Sequence, residues 1–378
     1  MRLHEYEAAN IFESAGIAVP TRAVVTTPNE ARKIASDLGC PVLLKAQVLA
    51  GGRGLARGVR LATSPEEAHM LSKELLGSDI KGFCVRKLLV SKKINMEREL
   101  YLGITIDGYE RRPVVLVSAE GGMSIEEVAR RSPERISLLH VDGYDELFPY
   151  QARGVFRKLG ISSKQLVPLA DILVRLYRVF VRYNALTAEI NPLAVMDDGG
   201  LAALDAVLDV DDSALFRLGE LLPRDRERIE NPLERKGKEI GVSYVELEGD
   251  IGIIASGAGL GMATMDIIAQ RLRPANFLET GGGITQELLY RCMDLVTMKP
   301  GIRAIFVNIY GGINPIHEGA KGIVRYIKER DVRIPVVAKA LGNHQEESWN
   351  ILRTGGVHVV TDVPTEKAVD RLFEILGA

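Results

Sequence analysis

Apolar residues along the chain recur with two different periods, and the change from one to the other divides the sequence in two. In residues 5–15, Ala8, Ile11 and Phe12 fall at i, i+3 and i+4, which predicts a helix that Gly16 ends. Thr27 followed by Pro28 supplies an N-cap and a first-turn proline for another helix. The stripe Leu166, Leu169, Ile172, Leu173, Leu176, Val179 and Phe180 predicts a long helix over 163–183. Short apolar runs at 41–47 (PVLLKAQ), 59–61, 88–90, 99–107 and 113–118 read as strands. The stretch 186–212, LTAEINPLAVMDDGGLAALDAVLDVDD, reads as two strands, 186–190 and 201–208, closed by the Asp197-Asp198-Gly199-Gly200 turn. Strands and helices here do not alternate regularly, so an α+β arrangement is expected.

From residue 245 onward the pattern changes. Strand runs at 251–255, 276–278, 304–309, 336–340 and 357–360 are each followed by a helical pattern, the last helix starting at Thr365. Five such βα units imply a parallel doubly wound sheet with its loops gathered at the carboxyl edge, where helix N-termini can hold an anion. Between the two regions, 221–239 (LLPRDRERIENPLERKGKE) is charged, contains proline and lacks a long apolar stripe, and is expected to be a linker.

With 378 residues, two or three domains are expected, and 46% hydrophobic with 26% charged residues is the balance of a soluble globular protein. Forty-eight basic against fifty acidic residues give a net charge of −2, which argues against a nucleic-acid partner. Cys40, Cys84 and Cys292 are widely spaced, pointing to reduced thiols and a cytoplasmic setting rather than a zinc or disulfide framework. The N-terminus, MRLHEYEAANIFESAG, has no targeting pattern, and no run reaches the ~20 apolar residues that a membrane helix needs.

Candidate chemistry lies at strand ends. Glu189, Asn191 and Asp205 are hard oxygen donors, and a hairpin that sets Asn191 beside Asp205 suits Mg²⁺ held by few protein ligands plus nucleotide phosphates. The strand carrying Lys45 runs into VLAGGRGLARG at 48–58, a glycine-rich hairpin whose N–H groups can close on phosphate oxygens, with Lys45 and Arg53 supplying charge. It is not the GxxxxGK[ST] phosphate loop. Taken singly, each of these residues is also an ordinary turn or strand-end residue. The SGAGLG at 256–261 is a weak dinucleotide signal, with Glu279 a candidate ribose contact only.

The segments LHEYEA, AGGRG after the Lys45 strand, EREL, EGGMSIEEVA and EINPL occur in an order that resembles the β subunit of succinyl-CoA synthetase over essentially the whole chain. The resemblance implies an ATP-grasp domain at 1–228 with a small lid subdomain at about 20–100, a linker at 229–243, and a flavodoxin-like ligase domain at 244–378. It implies nucleotide contacts from Lys45, Gly52, Arg53, Gly54 and Glu99, magnesium on Asn191 and Asp205, and Glu189 facing a phosphorylated histidine. The carboxylate would meet Ser256, Gly312, Ile313 and Asn314. The implied activity is ADP-forming succinate–CoA ligation in the tricarboxylic acid cycle, with ATP as substrate, Mg²⁺ as cofactor and a CoA-binding α subunit as partner.

The chain departs from this family at Ser256, which replaces an asparagine, at Ser91, which replaces an acidic residue, and at Leu49 and Leu55, which replace His and Lys. GGINPIHEG stands where GGIVRCD is usual and brings in His317 at the start of a helix, either a surface residue or a donor to the acid. Another acid such as malate or citrate is therefore an alternative substrate. A self-contained carboxylate–amine ligase and a non-catalytic regulatory subunit are the other two readings.

Overall fold

Capping residues and strand breakers set most element limits in the computed structural model, which describes residues 1–49, 58–142, 146–161, 163–219, 222, 228–229, 231–313 and 315–377. Among these residues the chain divides into two units, Met1–Leu222 and Pro223–Ala378.

The first unit opens with α1 (Glu5–Ser14), β1 (Arg22–Val25), α2 (Pro28–Leu38), β2 (Val42–Ala46), β3 (Val59–Ala62), α3 (Pro65–Leu75), β4 (Asp79–Ile80), β5 (Phe83–Cys84) and β6 (Leu88–Lys92). Helices α2 and α3 begin alike: Thr27 accepts from the Glu30 N–H and Ser64 from the Glu67 N–H, each ahead of a proline at N1. Strands β1-β6-β2-β3 form an antiparallel sheet whose core holds Val25, Leu44, Leu88 and Val90. The pairing of β2 with β3 sets Lys45 opposite Val59, as the glycine-rich hairpin predicts.

The unit continues with β7 (Arg98–Asp107), β8 (Arg112–Ser118), α4 (Ile125–Arg131), β9 (Ile136–His140), α5 (Pro149–Lys158), α6 (Ser163–Arg182), β10 (Ala185–Val195), β11 (Leu201–Ala203), β12 (Val207–Val210) and α7 (Leu215–Leu218). These strands make a second sheet, β11-β10-β7-β8-β9, with β12 also on β10. The α6 stripe faces its core, where Leu169, Leu173, Leu176 and Tyr177 are fully buried. The expected hairpin is present with a difference: β10 runs on past Ile190 to Val195, and its returning partner is broken into β11 and β12.

The second unit contains α8 (Pro232–Ile240), β13 (Ser243–Glu246), β14 (Ile251–Ala255), α9 (Ala258–Ala269), β15 (Asn276–Glu279), α10 (Gln286–Thr297), β16 (Ala304–Gly311), α11 (Ile316–Glu329), β17 (Val336–Gly342), α12 (Gln345–Thr354), β18 (His358–Val360) and α13 (Thr365–Leu376). Sheet order is β13-β15-β14-β16-β17-β18, with β14 to β18 parallel and β13 antiparallel at the edge. Alternate residues face opposite layers: Ile305 and Val307 join the core with α10 and α11, while Ala304 and Phe306 join the core with α9 and α13. Part of the expected linker is instead α8. Asn231 accepts from the Leu233 and Glu234 N–H groups, Pro232 sits at N1, and Gly241 closes the helix in the left-handed conformation. Charged residues dominate the stretch, yet Leu233 and Ile240 pack on the core and Lys236 pairs with Asp294 of α10 at 2.7 Å. Among the described residues no helix is long and apolar enough to cross a membrane.

Candidate functional site

In the first unit the site is built on an interrupted strand. Leu193 pairs with Ala203 and Glu189 with Val207, so one register runs on both sides of the gap between β11 and β12 and carries Asn191 opposite Asp205. On its other edge β10 shifts register against β7 between Ile190 and Leu193. Pro192 has no N–H for a ladder, and a bulge re-aims the side chains beside it. The Asn191 amide is fixed at both ends: Oδ1 accepts from the Gly122 N–H at 2.8 Å and Nδ2 donates to the Met123 carbonyl at 2.9 Å. Asp205 Oδ1 accepts from the Ala206 N–H at 2.8 Å.

Beside the gap stands Lys45, only 8% exposed. Its ammonium donates to Glu5 Oε1 at 2.7 Å and to the Leu204 carbonyl, the residue next to Asp205. The other oxygen of Glu5 accepts from Gln47 Nε2 at 3.3 Å. A narrow cleft there is lined by Glu5, Arg22, Lys45, Ser91, Leu204 and Asp205. An ammonium carries three N–H donors, so one remains for a further acceptor.

Glu189 accepts from the Tyr101 hydroxyl at 3.2 Å. Burial pushes its carboxyl above the usual carboxylate range; the charges of Asp205 and Glu126 add to this, while the Tyr101 bond and Arg2 oppose it. Glu99 lies against the loop that holds Asn191. A Cβ on Gly122, whose φ is +76°, would sit 2.3 Å from Glu99 Oε2. These residues fit a hard divalent cation: the Asn191 oxygen keeps a second lone pair, Asp205 supplies a carboxylate, and the charges of Asp205 and Glu126 raise the cost of ionising Glu189 beside them. Gly52, Arg53 and Gly54 lie outside the described residues. Reasoning from sequence did not find Tyr101, Glu5 as the partner of Lys45, or the 122–123 backbone that grips Asn191.

In the second unit the chain steps from β14 to β15 on one side and to β16 on the other, which puts a topological switch point at the carboxyl ends of β14 and β16. Ser256 sits there; its hydroxyl donates to the Tyr310 carbonyl at 3.2 Å and accepts from the Tyr310 N–H at 2.8 Å. Gly312 and Ile313 follow β16, both exposed, Ile313 at 91%. Asn314 lies outside the described residues. His317 is in the first turn of α11 and packs on His344, which precedes α12, with ring centroids 4.6 Å apart. His344 was not anticipated.

A family model described as the ATP-grasp domain matches residues 2–195, and one described as CoA-ligase matches 254–372. The ADP-forming succinate–CoA ligase subunit beta of Methanothermobacter thermautotrophicus is 39% identical over 99% of both chains. The corresponding subunit of Pyrobaculum aerophilum is 44% identical over 99% of both, and the GDP-forming one of Thermus thermophilus is 41% identical over 98% of both. Among solved structures, ATP citrate lyase from Methanothrix soehngenii superposes with a TM-score of 0.79 over 99% of both chains at 19% identity, a likeness of fold. An ATP-grasp domain followed by a CoA-ligase domain, with full-length relatives near 40% identity, makes this chain a member of the succinate–CoA ligase beta-subunit family.

Proposed function

We propose that the chain is the nucleotide-binding β subunit of an ADP-forming acid–CoA ligase that works with a CoA-binding α subunit. ATP bound in the first unit phosphorylates a histidine of the α subunit, the phosphate passes to a carboxylate as an acyl phosphate, and CoA displaces it. Succinate is the proposed acid, after the relatives' names. The observation that carries the reading is the facing of Asn191 and Asp205 across the strand gap, beside the Lys45 ammonium. Lys45 gives its remaining N–H to a phosphate oxygen, and Gly52, Arg53, Gly54 and Glu99 complete the nucleotide contacts. Bound Mg²⁺, held by Asn191 and Asp205, would neutralise charge on the transferred phosphate. Glu189, oriented by the Tyr101 hydroxyl, faces the phosphohistidine. In the second unit Ser256, Gly312, Ile313, Asn314 and His317 receive the acid. Three free thiols support the cytosol as the compartment.

A second acid, hydroxylated or larger, is supported by the pairing of half-buried His317 with exposed His344 next to Gly312 and Ile313. Reconstitution with an α-type subunit tests both readings, by following phosphorylation of that subunit and kcat/KM for succinate, malate, citrate and short monocarboxylates, with Asn314→Val alongside. A lead for succinate of more than about tenfold, ~1.4 kcal/mol, that Asn314→Val leaves unchanged supports plain succinate ligation. Activity of the isolated chain with an amine and no CoA would replace the reading with a carboxylate–amine ligase. Failure to bind Mg-ATP would make the chain a regulatory subunit.

A further inference from the structure

The β16–α11 and β17–α12 loops are pressed together more closely than side chains would permit. Gly311 pairs with Gly342, whose φ is +119° and whose added Cβ would lie 2.1 Å from the Gly311 carbonyl oxygen. Beyond that contact the Asn343 N–H donates to the Gly311 carbonyl at 2.7 Å, Asn343 Nδ2 to the Ile313 carbonyl at 3.3 Å, and the Ile316 N–H to the Asn343 carbonyl at 3.4 Å. His344 then takes the left-handed conformation, φ 58°, which histidine adopts more readily than most side chains. Its ring is thereby turned onto His317, and Glu347, one turn into α12, closes on both.

One ligand atom each from His317, His344 and Glu347 lie within 4.8 Å of one another. His344 Nδ1 is 3.4 Å from Glu347 Oε2, and His317 Nε2 is 3.2 Å from Glu318 Oε1. His317 Nδ1 is shielded from solvent and has no hydrogen-bond partner. A pair of imidazole rings with an unsatisfied buried nitrogen is poorly explained as surface decoration, because a buried polar atom left unbonded costs about 1–3 kcal/mol. Lys321 is a competing cation on the same helix. It pairs with Glu318 at 2.6 Å and also feels the charge of Glu347.

The geometry points to a divalent transition-metal site made by His317, His344 and Glu347, distinct from the Asn191–Asp205 oxygen pair of the first unit. Two imidazoles and one carboxylate are a borderline-soft donor set that favours Zn²⁺ or Co²⁺ over Mg²⁺, and three protein ligands leave a coordination position open to water or an anion. This inference stands apart from the reading of the nucleotide site.

The experiment is titration of the metal-stripped full-length chain with Zn²⁺ by calorimetry and with Co²⁺ by visible absorption. The expected result is one tight equivalent, with a Co²⁺ ligand-field spectrum and a metal-dependent rise in Tm. His344→Ala should weaken Zn²⁺ binding by more than ~100-fold, beyond the 10–100-fold typical of losing an outer-sphere partner. Glu347→Gln, which keeps shape and volume, should weaken it by at least ~10-fold, and His358→Ala should change nothing. Circular dichroism on each variant separates loss of ligand from loss of fold. A wild type that takes up no more Zn²⁺ than the His317→Gln/His344→Ala double variant, or binding that His344→Ala leaves unaltered, overturns the site.

Discussion

Replacing Glu5 with glutamine should unfold the first unit far more easily than an ordinary helix-start substitution. Glu5 and Lys45 are 5% and 8% exposed, and their charged atoms are 2.7 Å apart. At an effective dielectric near 20, two unit charges at that distance attract by roughly 6 kcal/mol. Desolvation offsets most of this, at several kcal/mol per ion, so the pair as a whole contributes little net stability. Removing the Glu5 charge alone is different, because the Lys45 ammonium stays buried without its carboxylate at a cost of about 3–5 kcal/mol. Spread over the unit Met1–Leu222, that cost lowers its Tm by roughly 6–20 °C. Far-ultraviolet circular dichroism follows both units, while the single tryptophan, Trp349, reports only the second and serves as an internal control. The Lys45→Met/Glu5→Leu pair removes both charges and should return to within ~2 kcal/mol of the wild type, yet remain unable to phosphorylate the partner. Single variants that lose less than ~1 kcal/mol, or a double variant that loses the sum of the singles, would refute the reasoning.

Asn191→Ala and Asp205→Asn should each cut ATP-dependent phosphorylation of the partner by ~10²-fold or more while the circular dichroism spectrum is kept; near-normal rates in both would remove them from the metal site. Glu189 binds its proton more tightly when folded, so its contribution is full below the ordinary carboxylate range, about 4.3, and is lost as pH rises through the folded value. Glu189→Gln should therefore stabilise the first unit against urea at neutral pH and add little in acid, while slowing phosphate transfer with ATP affinity intact. A pH-independent effect contradicts this. Gly122→Ala should cost about 1–2 kcal/mol from its positive φ alone. It should also weaken ATP binding by displacing Glu99, as measured by calorimetry.

Most of the fold was legible because its signals are local. The stripe of α6, the Thr27-Pro28 start of α2 and the strand-helix alternation after residue 245 each declare themselves within a dozen residues. Helix α8 looks like a linker in sequence because its charged residues outnumber the two apolar ones that anchor it. At the site, Asn191 opposite Asp205 follows from the hairpin and its turn. Tyr101 beside Glu189 and Glu5 beside Lys45 do not, since they depend on which strand of a sheet and which helix come to lie next to the hairpin. His344 and Glu347 meet His317 only through the parallel register of β16 and β17, which no short window of sequence contains.

The unbroken register across the β11–β12 gap makes the turn after β10 a ruler. The Gly200 carbonyl accepts from the Met196 N–H, and the Gly199 N–H donates to the Met196 carbonyl, so the chain reverses over a fixed count of residues before Leu201 meets Val195. Deleting one residue there would keep every side chain of the oxygen pair in the sequence but slide Ala206 into the place of Asp205, and inserting one would bring Leu204. A φ of +82° holds Gly199 in its place in the turn, whereas the number of turn residues is held by the facing of Asn191 and Asp205 further along the strands.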